Sequence, residues 1–524
     1  MTLKKLILAL LTALAISRIY FSLNDSLAQP QIQSRLELYQ SNLVLHVSEL
    51  KSDLDFDLED VMDSVVGENP YTGAIKQYQK ARSEAKISRN TFQEQLQKLA
   101  SAEIDNNNLP DAKVVLDTGK LDATQEQQKI ITKQISEINN FINEIDLKQG
   151  ILNAVDNKTD KALSLWRDAI ARINNPQNSY AQTARVLENL WQQTPQVVDN
   201  SEELIKSNLD SWFEYKALEK LYQVSDSQSD LLALRSQEKE LAAQSIFKLA
   251  LISGIPVFGG IAGIILLIFL LVQLLLKKER AVLAINSNKT WQTPWDWEII
   301  WQVLIVGFFF FGQFVLPILL GLLGINPSNS SLRIKALYVF GTYILMAAGG
   351  IGVLYFSIKS YLPFPKDWFK FKFLDTWMFW GFGGYLIAIP LVLIVSLINQ
   401  QIWQGQGGSN PLLFLALQAQ DTVALAIFFI TASVAAPIFE EIMFRGFLLP
   451  SLTRYIPVWG AIVVSGLIFA VAHLSLSEVL PLATLGIILG IVYTRSRNLF
   501  APILLHSLWN SGTLISLFVL GSGS

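Results

Sequence analysis

Residues 431–449, TASVAAPIFEEIMFRGFLL, form an apolar stretch that contains two adjacent glutamates and an arginine. Each charge at the centre of a bilayer costs about 2.5–3.5 kcal/mol on insertion scales. Glu441 and Arg445 are four residues apart, share one helix face and are predicted to form an ion pair. Glu440 lies about 100° further round the helix and has no partner within its own turn. The stretch therefore predicts a membrane-spanning helix with one paired and one unpaired acid.

The composition of the whole chain indicates an integral membrane protein with room for a soluble domain. The chain has 524 residues, a mean hydropathy of +0.35 and 16% charged residues. The net charge of -3 gives no indication of nucleic-acid binding. Because the chain has no cysteine, disulfides, a thiol nucleophile and Cys-ligated metal are excluded. The three histidines are His46, His473 and His506.

The N-terminal part combines a targeting segment with a polar, helical region. Residues 1–24 begin MTLKKLILALL and are predicted as a signal anchor, with a cleaved signal peptide as the alternative. Residues 25–245 have apolar residues at helical spacing and predict a soluble helical domain outside the cytoplasm. Residues 150–176 resemble a tetratricopeptide unit, with a plain helical hairpin or coiled coil as the alternative. His46 is predicted to be an ordinary surface or core residue.

The rest of the chain is predicted to be an all-α, polytopic membrane domain of about eight spans. Residues 246–375 hold its N-terminal spans and residues 376–524 its C-terminal core. Lys and Arg cluster after the first, third, fifth and seventh spans, which predicts that these loops are cytoplasmic. The predicted spans are 249–276, 298–324, 336–358, 376–398, 421–449, 457–474, 479–494 and 499–520.

Polar residues that suit peptide hydrolysis concentrate in the last four spans. Glu440 and His473 are equally far from the turn between their helices, so we expect them at the same depth. His506 and Asn510 are four residues apart and share a face of the last span. A buried glutamate can act as general base on water, a histidine can hold that water, and an imidazole and an amide can donate to an oxyanion. The alternative for both histidines is a structural role in the core.

A metal offers a second route to the same reaction. Glu440, His473 and His506 match a zinc ligand set of one acid and two imidazoles, and zinc would activate the water. The residue pattern alone leaves direct glutamate catalysis and metal-assisted catalysis open.

Three ordered motifs carry a resemblance to a known family. EEIMFRG, FAVAH and HSLWN resemble the EExxxRG, FxxxH and HxxxN/B motifs of the CPBP family of CAAX proteases and bacteriocin-processing proteins, also called Abi. The resemblance covers roughly residues 376–520 and does not extend to residues 25–245. It implies a helical intramembrane endopeptidase, described for the family as a metalloprotease, whose eukaryotic members remove the last three residues of prenylated CAAX proteins. It implies as catalytic residues Glu440, His473, His506 and Asn510, with Glu441 and Arg445 in support.

Two classes of function follow from the sequence. The first is an intramembrane endopeptidase that hydrolyses membrane-associated proteins or peptides with a glutamate-activated water, metal-bound or not. The second is a non-enzymatic membrane adaptor whose exported helical domain binds partner proteins. A transporter is a more distant alternative, since the spans show no inverted repeat. The expected partners are a membrane-bound substrate, the lipid bilayer and a protein bound by the exported domain.

Overall fold

The computed structural model describes residues 2–27, 29, 31–50, 69–107, 118–327, 330–418 and 421–521. The regular elements in these residues are helices, which confirms the predicted all-α class. The chain divides into two compact units. One unit, here called the membrane unit, comprises Met1–Leu27 and Ile252–Ser522. The other is Ala28–Leu251 and is here called the soluble unit, after the soluble domain predicted from the sequence.

The soluble unit packs its helices around a core of large aromatic side chains. Trp166, Trp212 and Phe213 are fully buried. The Trp166 indole donates to the Leu147 carbonyl, with 3.2 Å between nitrogen and oxygen, and a Cβ on Gly150 would lie 2.0 Å from its Nε1. Gly150 is therefore needed for the close packing of two successive helices. The helices in the described residues are α2 (Ile32–Ser48), α3 (Pro70–Asn107), α4 (Thr118–Val155), α5 (Thr159–Ile173), α6 (Ser179–Trp191), α7 (Ser201–Asn208) and α8 (Ser211–Val224), followed by α9 (Gln228–Lys277).

The membrane unit confirms an integral, multi-pass membrane protein. Among the described residues, eight helices are long and apolar enough to cross a bilayer, one of them at the N-terminus. The helices of this unit beside α9 are α1 (Leu3–Ser26), α10 (Trp297–Leu322), α11 (Leu332–Ile358), α12 (Trp377–Trp403), α13 (Pro411–Gln418), α14 (Thr422–Leu452), α15 (Val458–Val471), α16 (Val479–Ser496) and α17 (Phe500–Gly521).

One predicted span is shorter than expected. The span predicted at residues 457–474 is the 14-residue helix α15, whose length of about 21 Å is less than the hydrocarbon thickness. It ends at Val471, and Leu474 just beyond it has a left-handed backbone with φ of 57°. His473 therefore lies just past the helix end and not within a continuous span.

Helix α1 makes polar contacts along its whole length within the membrane unit. At its start, the Lys4 ammonium lies 2.9 Å from a carboxylate oxygen of Glu298. In its middle, the indole of Trp301 donates to the Thr12 hydroxyl at 2.7 Å, and at its end Ser26 Oγ accepts from the Leu476 N–H at 3.3 Å. The helix therefore contributes to the packing of the membrane unit.

Candidate active site

The buried ion pair on α14 is present as the spacing predicts. The side chains of Glu441 and Arg445 are both 0% exposed. One guanidinium nitrogen of Arg445 donates to Glu441 Oε1 at 2.8 Å, and another donates to the Gly486 carbonyl at 2.9 Å. Gly486 packs directly on Gly466, and a Cβ on either glycine would lie about 3 Å from the backbone of the other helix. This close packing leaves the Gly486 carbonyl accessible to Arg445. The pair therefore ties α14 to α16 in the middle of the unit.

Glu441 has a second partner that sequence reasoning missed. Nδ1 of His506 lies 2.9 Å from the same Oε1 atom that accepts from Arg445. Because an ionised carboxylate only accepts hydrogen bonds, Nδ1 carries a proton and donates. Glu441 thus fixes the orientation of the imidazole and directs its other nitrogen away from Arg445. The i, i+4 spacing predicts the ion pair of Glu441 with Arg445. No local sequence pattern predicts the contact of Glu441 with His506 on α17.

Glu440 lies on the other side of the same imidazole. Its Oε2 is 4.0 Å from Nε2 of His506 and, in the described part of the chain, has no hydrogen-bond partner. Its Oε1 accepts from the hydroxyl of Tyr343 on α11 at 3.1 Å. The sequence left Glu440 without a partner, and Tyr343 was missed because it lies in a span outside the motifs. A tyrosine in an apolar span was the available signal, but its pairing depends on how α11 packs against α14.

His473 contacts the same aromatic ring as His506. Its Nδ1 lies 2.8 Å from the Phe469 carbonyl, to which it donates, so a neutral His473 has its lone pair on Nε2. The Phe469 ring contacts the imidazoles of His473 and His506, with centroids 4.8 and 5.6 Å away, and Arg445 stacks over it at 4.6 Å. Phe469 is the first residue of the FAVAH stretch, so that motif supplies both a histidine and the ring that spaces it.

Asn510 stabilises an irregular segment of α14. Residues Thr431–Ala435 form a π-helical turn just before Pro437, which has no N–H to donate to the carbonyls one turn back. The Asn510 amide donates to the Ala432 carbonyl at 2.7 Å, and the Ser507 hydroxyl donates to the Ser433 carbonyl at 2.6 Å. Helix α17 therefore satisfies the backbone groups that the proline frees. An amide nitrogen has two protons, so one N–H of Asn510 is left for another acceptor.

The proposed zinc ligands do not come together as a ligand group. Within the residues that the structure describes, no group of three or more His, Asp or Glu side chains is arranged to hold a metal ion. The mechanism below therefore contains no step through a metal.

The comparison with known proteins concerns the C-terminal part of the membrane unit. Residues 422–512 match the family described as type II CAAX prenyl endopeptidase Rce1-like. Residues 422–512 are similar to this family and are here called the Rce1-like segment. The match confirms the resemblance to CAAX proteases that the three motifs carry. The Rce1-like segment includes Glu440, Glu441, Arg445 and both membrane histidines, and it excludes Tyr343.

Two bacterial proteins are similar to part of the chain. The membrane-embedded CAAX protease MroQ of Staphylococcus aureus (strain USA300) is 29% identical over 142 residues, which is 26% of this chain and 56% of MroQ. YdiL of Bacillus subtilis (strain 168) is 27% identical over 136 residues, 26% of this chain and 54% of YdiL. The chain thus spans about half the length of these relatives. No solved structure gives a significant match.

Proposed function

We propose that this protein is an intramembrane endopeptidase in which Glu440 is the general base for water. The observation that carries the proposal is the asymmetry of the Glu440 carboxylate. Oε1 is held by Tyr343, while Oε2 is unpartnered among the described residues and faces an imidazole at 4.0 Å. A separation of that size fits a group bridged by water, and an unpaired buried carboxylate oxygen is the strongest available acceptor for one.

In the proposed reaction, Glu440 takes a proton from a water bound at Oε2. The Nε2 atom of His473 accepts the second hydrogen of the water and orients it. The water oxygen forms a bond to the carbonyl carbon of the substrate peptide, and the carbonyl oxygen becomes an oxyanion. Glu440 then returns its proton to the amide nitrogen, the C–N bond breaks, and a carboxylic acid and an amine leave.

Donors for the oxyanion come from α17. His506 donates from Nε2 and Asn510 from its second amide proton, and removal of one such donor costs about a hundredfold to a thousandfold in kcat. For this role both nitrogens of His506 must carry a proton, because Nδ1 already donates to Glu441. Glu441 and Arg445 act as positioning residues through His506.

The proposed substrate is a membrane-associated protein or peptide. The Rce1-like match and the similarity to the CAAX protease MroQ support peptides of the CAAX type. Cleavage is compared between two peptides with the same cleavage sequence, one prenylated and one anchored by a transmembrane helix. Cleavage of the prenylated peptide only would show lipid recognition, and cleavage of both would show that access to the bilayer is enough.

We further propose that α1 is a retained anchor and that the soluble unit is extracytoplasmic, where it binds a protein partner or substrate. The contacts of α1 with Glu298, Trp301 and Leu476 support retention, and the Lys and Arg distribution supports the orientation. Because the chain has no cysteine, Glu203→Cys and Lys278→Cys report sidedness without background. A membrane-impermeant maleimide added to intact cells should label Glu203→Cys only. The reverse labelling would overturn the orientation.

The test of the protease proposal is cleavage of an anchored peptide by purified full-length protein. Glu440→Gln keeps the size of the side chain and removes the base, so we expect a loss of at least about a hundredfold. Its melting temperature should not fall, because the change removes a buried charge. Glu298→Gln, at a carboxylate that pairs with Lys4, is the matched control and should cleave normally. Cleavage that survives Glu440→Gln sinks the proposal, and loss on chelation alone would show a metal requirement.

A further inference from the structure

The soluble unit contains one histidine, His46, which is buried and contacts both an acid and a hydroxyl. His46 is on α2, Ser211 begins α8, and Glu238 is on α9. Nδ1 of His46 lies 2.6 Å from Glu238 Oε1, and Nε2 lies 2.8 Å from Ser211 Oγ. The side chains of His46 and Glu238 are each 3% exposed, and Ser211 is half-buried. The three groups thus lie in a line from a buried acid to a hydroxyl nearer the surface.

The hydrogen-bond roles in this line follow from the acid. With Glu238 ionised and His46 neutral, Nδ1 of His46 donates to Glu238 and Nε2 has the lone pair that accepts the Ser211 proton. The other oxygen of Glu238 is buried without a partner among the described residues, so the imidazole is its main contact. This is the relation of orienting acid, base and nucleophile that defines serine hydrolases on unrelated folds.

The backbone at Ser211 has two further features of a nucleophile position. Its φ of 55° lies in the left-handed region, which is strained for serine. Such strained conformations cluster at functional sites, where the surrounding structure holds them in place. Ser211 is the first residue of α8, and no side chain caps that helix. Asp210, at the cap position, pairs instead with the ammonium of Lys148 at 2.9 Å.

The uncapped helix start leaves a backbone donor next to Ser211. The structure gives no acceptor, among the described residues, for the backbone N–H of Trp212, which follows Ser211. The N–H of the residue after the nucleophile is an oxyanion donor in hydrolases with a strained nucleophile turn. The neighbouring ring of Tyr71, 5.8 Å from that of Trp212, is half-buried and offers apolar surface for an acyl chain.

We propose that Ser211, His46 and Glu238 form a second hydrolytic site, which cleaves carboxylic esters and is independent of the membrane site. Ser211 Oγ forms a bond to the ester carbonyl carbon while its proton moves to His46 Nε2. The C–O bond breaks, and the alcohol leaves with that proton. Water then attacks the acyl-serine, gives one proton to His46, and releases the carboxylic acid as the proton returns to Ser211.

The test is labelling of the purified full-length protein with a fluorophosphonate probe, together with hydrolysis of p-nitrophenyl butyrate. We expect one labelled serine, Ser211, and loss of labelling in Ser211→Gly and in His46→Gln. Hydrolysis should fall by at least about a hundredfold in both. Ser225→Ala, at the other end of α8, is the matched control and should be labelled like the parent.

Ser211→Gly separates catalysis from a structural role of the hydrogen bonds. Glycine adopts a positive φ without strain, so the variant should melt at the same temperature as the parent or higher while it loses labelling. A parent protein that is not labelled, or labelling that persists in Ser211→Gly, overturns the proposal. Loss of melting temperature in Ser211→Gly without any labelling in the parent would assign the three residues to the packing of α2, α8 and α9.

Discussion

Both units of the protein hold a histidine whose Nδ1 donates to a buried glutamate, but the two histidines face different third partners. In the membrane unit, Nε2 of His506 faces a second carboxylate, Glu440, at 4.0 Å. In the soluble unit, Nε2 of His46 contacts the hydroxyl of Ser211 at 2.8 Å. An acid can act as base on water, whereas a hydroxyl can itself become the nucleophile. The third partner therefore decides the chemistry, although the histidine–acid pair is shared.

The two acids that hold the histidines also differ in charge balance. Glu441 accepts from both Arg445 and His506, and all three side chains are almost fully buried. Glu238 has no Lys or Arg within hydrogen-bond distance in the described residues, and its side-chain partner is the imidazole of His46. The hydrocarbon core of a bilayer contains no water to solvate a buried charge. The Glu441–His506 pair therefore needs the Arg445 guanidinium, and the Glu238–His46 pair has no such group.

The largest effect is expected from removing that guanidinium. Arg445→Met gives Glu441 the same partners as Glu238, a single imidazole, and leaves a charge buried in the bundle. Loss of one member of a buried pair typically costs about 3–5 kcal/mol, so we expect a sharply lower melting temperature in detergent. Adding Glu441→Gln should restore part of the stability but not the cleavage, because His506 stays without its anion. A stable, active Arg445→Met protein would show that the two histidine–acid pairs are equivalent.

A smaller effect, on the rate of peptide cleavage, is expected at Tyr343, whose hydroxyl donates to one oxygen of Glu440. Tyr343→Phe removes the donor to Oε1 but keeps the ring that packs edge-on against Phe439. We expect kcat/KM for the anchored peptide to fall about tenfold, equivalent to about 1.4 kcal/mol, with little change in melting temperature. Tyr338→Phe, on the same helix, is the control. An unchanged rate in Tyr343→Phe would restrict the site to the Rce1-like segment.

The smallest effect is expected at Ser507, which supports the membrane site without taking part in its chemistry. Ser507→Ala leaves the Ser433 carbonyl without its side-chain donor, and we expect a loss of about 0.5–1.5 kcal/mol in stability and an unchanged cleavage rate. Asn510→Ala should lose a similar amount of stability and also cleave more slowly. If both variants behave alike, Asn510 is structural only.

The sequence predicted the membrane site better than the soluble one, and distance along the chain is the reason. Glu441 and Arg445 are one helical turn apart, so their pairing follows from helix geometry. His506 is 65 residues from Glu441, and a motif resemblance was needed to place it near the acids. Tyr343 lies 97 residues from Glu440 and outside the motifs. His46 and Glu238 are 192 residues apart, and only the packing of α2 against α9 brings them together.

The most direct test of the central claim, that Glu440 is the base of a peptide hydrolase in the membrane unit, is a crossed assay. The parent, Glu440→Gln and Ser211→Gly proteins are each measured for cleavage of the anchored peptide and for fluorophosphonate labelling. The account predicts that Glu440→Gln loses peptide cleavage by at least about a hundredfold and is still labelled, while Ser211→Gly cleaves the peptide like the parent and is not labelled. Peptide cleavage that persists in Glu440→Gln, or that disappears in Ser211→Gly, would contradict it.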